Sequence, residues 1–179
     1  NALAALALAS KASCPLAPML YGLREYRGEP HRVESVAFHN EVEYIDDSKG
    51  TNVGATVAAL NSLGADRGSA GDKKIIVILG GDGKGQDFTP LAEPIAQFVK
   101  ATLLIGKDAD KIAAALDGLQ GRPDMVLRSA DTLEDAVTQC ASIAKSGDIV
   151  LLSPACASLD MFKDYKHRAD VFTRTVNAL

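Results

Sequence analysis

Three segments of this sequence bring charged, hydroxyl and glycine residues together directly after apolar runs, where a parallel sheet would present its ligand-binding loops. The first, residues 44–52 (YIDDSKGTN), runs from a strand into Asp47 and Lys49 and then into a helix. Thr51 or Asn52 can cap that helix, and the free amides of its first turn, with Lys49, favour an anion. Taken alone, the segment reads equally as an ordinary cap with a solvated lysine. In the second, residues 79–88 (LGGDGKGQDF), glycines expose backbone amides around one cation, Lys84. The alternative there is a flexible turn. The third, residues 151–162 (LLSPACASLDMF), presents Ser153 and Ser158 with free amides before a helix. Ser158 could donate to a carboxylate while Asp160 caps or pairs, or the serines merely cap while Cys156 packs inside.

Two generic phosphate loops are excluded by counting. Lys84 is followed by Gly85 rather than Ser or Thr, and the residue five before Gly83 is Ile78, so the second segment is not a Walker A motif. The third glycine of a dinucleotide fingerprint would fall on Gln86. A lysine on a short glycine loop that binds a carboxylate is the simpler chemistry. A nucleophilic role for Cys156 is weak, because the neighbouring sequence offers no base to activate it.

The elements that must position these loops alternate along the chain. Apolar runs at residues 75–79, 102–105, 125–127 and 149–152 read as buried strands. Helical patterns occupy residues 53–63, 91–99, 109–116, 132–144 and 165–176. Such alternation implies an α/β fold: a Rossmann-like, mostly parallel sheet with helices on both faces. Val33, Val36 and Phe38, then Val42, Tyr44 and Ile45, flank a turn at His39-Asn40, so an antiparallel pair opens the sheet. Residues 64–71 (GADRGSAG) read as a solvated loop. Upstream, residues 1–9 (NALAALALA) form a helical pattern, and Met19, Leu20 and Leu23 a second short one ending near Arg27-Gly28. A short helical segment, residues 1–27, thus precedes the domain at 28–179.

Composition narrows the function classes. At 47% apolar and 23% charged, the 179 residues can bury one substantial core. The net charge of −4 and the lack of a Lys/Arg run argue against a nucleic-acid partner. Cys14, Cys140 and Cys156 are odd in number and far apart, which fits reduced thiols in a cytoplasmic protein, each a small buried hydrophobe. The opening apolar stretch has no preceding positive charge and is too short to span a bilayer, so it predicts neither a signal peptide nor a membrane anchor. Without an initiator Met, it reads as a helix that begins where something was cut.

Taken in order, Pro30-His31-Arg32-Val33-Glu34, Asp47-Ser48-Lys49-Gly50-Thr51-Asn52, Gly80-Gly81-Asp82-Gly83-Lys84 and residues 153–162 resemble the D-glutamate-adding members of the Mur ligase family. Sister ligases for other amino acids, and the folylpolyglutamate synthetases, usually carry an aromatic residue or Ala and then His after the first Asp, where this chain has Ser48-Lys49. The resemblance implies a peptidoglycan-synthesis ligase with ATP and Mg2+ in a central domain and UDP-N-acetylmuramoyl-L-alanine in a first domain, both upstream of this carboxy-terminal one. It implies that Asn1, Arg32, Asp47 and Lys49 face ATP, Asn1 at the adenine and Lys49 near the phosphate and acyl-phosphate region. It implies that Thr51, Lys84 and Ser158, with the backbone at Leu159 and the ring of Tyr165, hold D-glutamate. Tyr165 stands where relatives often have Phe, and Gly50 where Ala is common. No catalytic group, metal ligand or bound cofactor is expected in this segment, which would position substrates only and be inactive alone. Another Mur-type or folylpolyglutamate-type amino-acid ligase, and a stand-alone Rossmann-like module binding a small dianion, are the alternatives.

Overall fold

The computed structural model describes residues 2–67, 74–120 and 125–179. Contacts divide the chain into two units, Asn1–Pro30 and His31–Leu179. The first holds helices α1 (Ala2–Lys11) and α2 (Leu16–Glu25), neither of which buries a residue. Leu3 and Leu8 are 82% and 73% exposed. Cys14, expected to be buried, is exposed. Two short helices enclose too little volume to form a core around it.

The second unit runs β1 (Glu34–His39), β2 (Val42–Asp46), α3 (Val53–Arg67), β3 (Ile75–Gly80), α4 (Ala92–Phe98), β4 (Val99–Ile105), α5 (Ala109–Ala115), β5 (Val126–Ser129), α6 (Leu133–Ile143), β6 (Ile149–Leu152) and α7 (Tyr165–Val176). The six-stranded sheet has the order β1-β2-β6-β3-β4-β5. β1 pairs antiparallel with β2, and the other pairings are parallel. The hairpin turn centres on Asn40 and Glu41, at φ 49 and 60, with His39 paired to Val42. Two successive left-handed residues give the twist that joins adjacent strands through two residues. The turn therefore sits one residue beyond the expected His39-Asn40.

Alternate side chains of the central strands feed two cores. Ile75, Val77 and Leu79 pack with α3, α4 and α5 through Leu60, Ile95 and Ile112. Ile76 and Ile78 pack with α6 and α7 through Val137 and Phe172. Burial on both faces is why β3 reads as an unbroken apolar run. Thr132 Oγ1 accepts from the Asp135 amide and Asp164 Oδ1 from the His167 amide, which starts α6 and α7 where their apolar stripes begin. The helix expected through Val99 stops at Phe98, and Val99 already pairs with Ile75. No Gly or Pro separates the two elements, so only tertiary pairing marks the switch. Among the described residues no helix is long and apolar enough to cross a membrane.

Gly80 ends β3 at φ 127, and a Cβ there would lie 1.9 Å from the Ile105 carbonyl oxygen of β4. A Gly80→Ala substitution must both adopt a strained backbone and push two paired strands apart. The expected cost is about 2 to 4 kcal/mol of unfolding free energy, read from urea denaturation. Unchanged stability would contradict this packing.

Candidate substrate-binding loops

β6 leads to α7 on one face of the sheet, while its neighbours β2 and β3 lead to α3 and α4 on the other. The chain thus parts at the carboxyl end of β6, where doubly wound sheets form their binding crevice. All three loops singled out in the sequence emerge there.

In the loop after β2, Asp46 Oδ1 accepts from the Ser48 amide at 2.9 Å and Asp46 Oδ2 meets His31 Nδ1 at 2.8 Å. His31 sits edge-on to Tyr165, with ring centroids 5.9 Å apart. Lys49 Nζ donates to Tyr165 Oη at 3.2 Å and lies 4.7 Å from the ring centroid. Lys49 and Tyr165, 116 positions apart, are therefore brought together at the start of α7. Asp47 is buried, and Ser153 Oγ lies 2.6 Å from its Oδ2. Burial pushes the Asp47 pKa up to about 6, against the opposing pull of the Ser153 hydroxyl, the Val33 amide and the Arg32 guanidinium. Arg32 itself is exposed. Gly50 leaves room for the carboxylate, since a Cβ there would sit 2.5 Å from Asp47 Oδ2. Thr51 is half-buried, and Asn52 Oδ1 caps α3 by accepting from the Ala55 amide. Asn1 lies outside the described residues.

The glycine loop and the loop after β6 run side by side, joined by an antiparallel bridge between Asp82 and Ala157. That bridge sets Lys84 and Ser158 just beyond its two ends. Lys84 is exposed and left-handed at φ 51, with its amide donating to Asp82 Oδ1 at 2.9 Å. Among the described residues its ammonium has no ion-pair partner. Ser158 is 4% exposed and Leu159 68% exposed. Cys156 is buried, and burial pushes its thiol up to about 12, which keeps it protonated and unreactive at neutral pH.

Sequence reasoning missed the residues that hold these loops together. Gln86 Oε1 accepts from the first amide of α3, Val53, at 3.0 Å, and its Nε2 donates to the Gly83 and Ala155 carbonyls at 2.9 and 3.3 Å. The residue that spoils the dinucleotide fingerprint thus staples all three loops. Arg168 is fully buried, with guanidinium nitrogens donating to the Ser48 carbonyl at 2.8 Å and to the Cys156 carbonyl at 3.2 Å. Its signal was legible: a charge beside Ala169, Phe172 and Val176 on the buried stripe of α7. Arg168→Lys keeps the charge but loses the fork that reaches both carbonyls. It should cost about 1 to 3 kcal/mol in urea unfolding, and an unchanged midpoint would refute this role.

His31, Glu34 and Asp46 bring possible ligand atoms within 4.8 Å of one another. His31 Nδ1 is engaged by Asp46, and Glu34 Oε2 by the His31 amide. A nitrogen donor also fits the all-oxygen octahedron of Mg2+ poorly. The trio does not suit that ion.

Residues 31–156 match the family described as Mur ligase, glutamate ligase domain. The whole chain is 60% identical to part of a UDP-N-acetylmuramoylalanine--D-glutamate ligase from Polaromonas sp. and 59% identical to part of one from Cupriavidus metallidurans. It spans 29% and 33% of those two proteins, about a third of their length. Among solved structures, a murein peptide ligase from Psychrobacter arcticus shares the fold over the full chain at a TM-score of 0.62 and 16% identity, matching 37% of that protein.

Proposed function

The chain belongs to the Mur ligase family as a glutamate ligase domain, and we propose that within its whole protein it binds D-glutamate and closes over ATP during formation of an amide bond to UDP-N-acetylmuramoyl-L-alanine. In that reaction ATP phosphorylates the precursor carboxylate, the D-glutamate amine attacks the acyl phosphate, and phosphate leaves as the amide forms. The observation that carries the reading is the Asp82–Ala157 bridge, which places a cation without a partner among the described residues, Lys84, beside the Ser158 loop.

Lys84, Thr51 and Ser158 hold the carboxylates of D-glutamate, with the Leu159 backbone and the Tyr165 ring closing the site. Arg32 and Asp47 reach the nucleotide, and Lys49, steadied on Tyr165, faces its phosphates. Mg2+ would offset phosphate charge and is assigned to residues outside this chain. Residues 1–27 form the tail of the central ATP-binding domain, and the whole enzyme works in the cytoplasm. No group here acts as nucleophile or general base. Fixing the amine against the acyl phosphate makes the encounter effectively unimolecular, which contributes several kcal/mol, up to about 7 to 11.

The test offers the full-length enzyme D-glutamate, L-glutamate, L-lysine and meso-diaminopimelate separately, with ATP and UDP-N-acetylmuramoyl-L-alanine. Amide product by mass with D-glutamate alone is expected. Product with another amino acid and none with D-glutamate would make it a sister ligase. The 179-residue chain by itself should release no phosphate in the same assay; D-glutamate-dependent release at full-length rates would overturn the positioning role.

A further inference from the structure

The loop between β4 and α5, residues 106–108, carries none of the motifs singled out in the sequence, yet it touches two of the three loops proposed to hold the amino acid, those bearing Lys84 and Ser158. Gly81 and Asp108 are tied by backbone, the Gly81 amide donating to Ile105 at 3.1 Å and the Asp108 amide to the Gly81 carbonyl at 3.0 Å. Asp108 is 3% exposed, and its Oδ2 accepts from the Gly83 amide at 2.7 Å. Its other oxygen pairs with Lys111 Nζ at 2.7 Å. Lys107 works in two directions: its ammonium meets Asp82 Oδ2 at 3.1 Å, and its amide donates to Asp160 Oδ2 at 2.9 Å. Gly106 permits the crossing, because a Cβ there would lie 2.6 Å from Asp160 Oδ2 and 2.8 Å from Gly81 Cα.

We propose that Asp108 and Lys107 are positioning residues that fix the spacing between the Lys84 ammonium and the Ser158 hydroxyl, and so match the site to a dicarboxylate of D-glutamate's length. The inference rests on the assignment of Lys84 and Ser158 made above. Lys84 sits in the left-handed region between two glycines, with no ion-pair partner among the described residues, so its place depends on how the loop backbone is held. Asp108 supplies that hold beside it, at Gly83. Asp160 and Lys107 carry the same constraint to the loop that bears Ser158. A loop so freed would still bind a carboxylate, but would no longer measure the distance to the second one.

The experiment is initial-rate kinetics on the full-length ligase with D-glutamate, D-aspartate and ATP each varied, for Asp108→Ala, Asp108→Asn and Lys107→Met, with Lys84→Ala as reference. Asp108→Ala should raise the KM for D-glutamate about ten- to a hundredfold, with that for ATP moving less than about twofold. Asp108→Asn keeps an oxygen for the Gly83 amide and should restore most of the loss. Both Asp108→Ala and Lys107→Met should narrow the preference for D-glutamate over the shorter D-aspartate. Lys107 is largely exposed, so its replacement leaves packing intact and gives an answer even where Asp108→Ala fails to fold. An unchanged D-glutamate KM and an unchanged preference, or equal rises in both KM values, would overturn the proposal. Should Lys84→Ala also leave D-glutamate use untouched, the assignment of the site itself has failed. If Lys84→Ala alone has an effect, only the clamp has.

Discussion

Lys84→Ala in the full-length ligase is expected to raise the KM for D-glutamate about ten- to several-thousandfold, while that for ATP changes much less. Lys84 is exposed on the glycine loop, and the loop around it is ordered by other groups: Asp82 takes its amide, Gln86 takes the Gly83 carbonyl and Asp108 takes the Gly83 amide. Removing the ammonium therefore deletes the proposed ligand contact without dismantling the loop. Lys84→Arg should rescue poorly, because a planar fork does not replace a compact ammonium where the flanking glycines set the space. Steady-state kinetics with each substrate varied in turn decides the matter. A raised KM for ATP with D-glutamate unaffected would make Lys84 a nucleotide residue.

Asp47→Asn is expected to separate stability from nucleotide use. The folded pKa of Asp47, about 6, lies above its ordinary value of 3.8 because burial penalises the charged form. Between those values the folded chain holds more protons than the unfolded one, so the Asp47 contribution to stability falls as pH rises through that window. Above pH 6 the ionised side chain costs about 3 kcal/mol, an order-of-magnitude figure. The neutral amide avoids that cost and can still accept from Ser153, so the variant should unfold at higher urea than the wild type at pH 8, with the gain vanishing near pH 4. In the full-length enzyme the same change should raise the KM for ATP about ten- to a hundredfold, as a charge-assisted hydrogen bond is lost. A variant less stable than the wild type at pH 8 would contradict the burial argument.

Much of this was legible because strong local patterns agreed with the tertiary result. α7 runs Tyr165–Val176, matching its amphipathic pattern, and the buried strands were visible as β-branched runs between glycine-rich loops. Local pattern failed where two elements abut without a breaker, at Phe98 and Val99, and where the hairpin turn used Glu41, a residue that seldom takes a left-handed conformation. The loops themselves were identified by residue type, but what holds them was not. Gln86 and Asp108 act through partners up to 69 positions away, and such pairings leave no periodicity in one sequence. Arg168 was visible as a charge on the apolar stripe of α7, but its partner, 120 positions away, was not. The joining of Lys49 to Tyr165 likewise depends on β2 and β6 being neighbours, a fact of strand order rather than of composition.

The central claim, that this domain holds the amino-acid substrate, is tested most directly by the crystal structure of the full-length ligase with D-glutamate and a non-hydrolysable ATP analogue. The account predicts D-glutamate density with one carboxylate within about 3 Å of Lys84 Nζ and the other within about 3 Å of the Ser158 hydroxyl. Nucleotide phosphate at Lys84, or D-glutamate bound away from the loops after β2, β3 and β6, would contradict it.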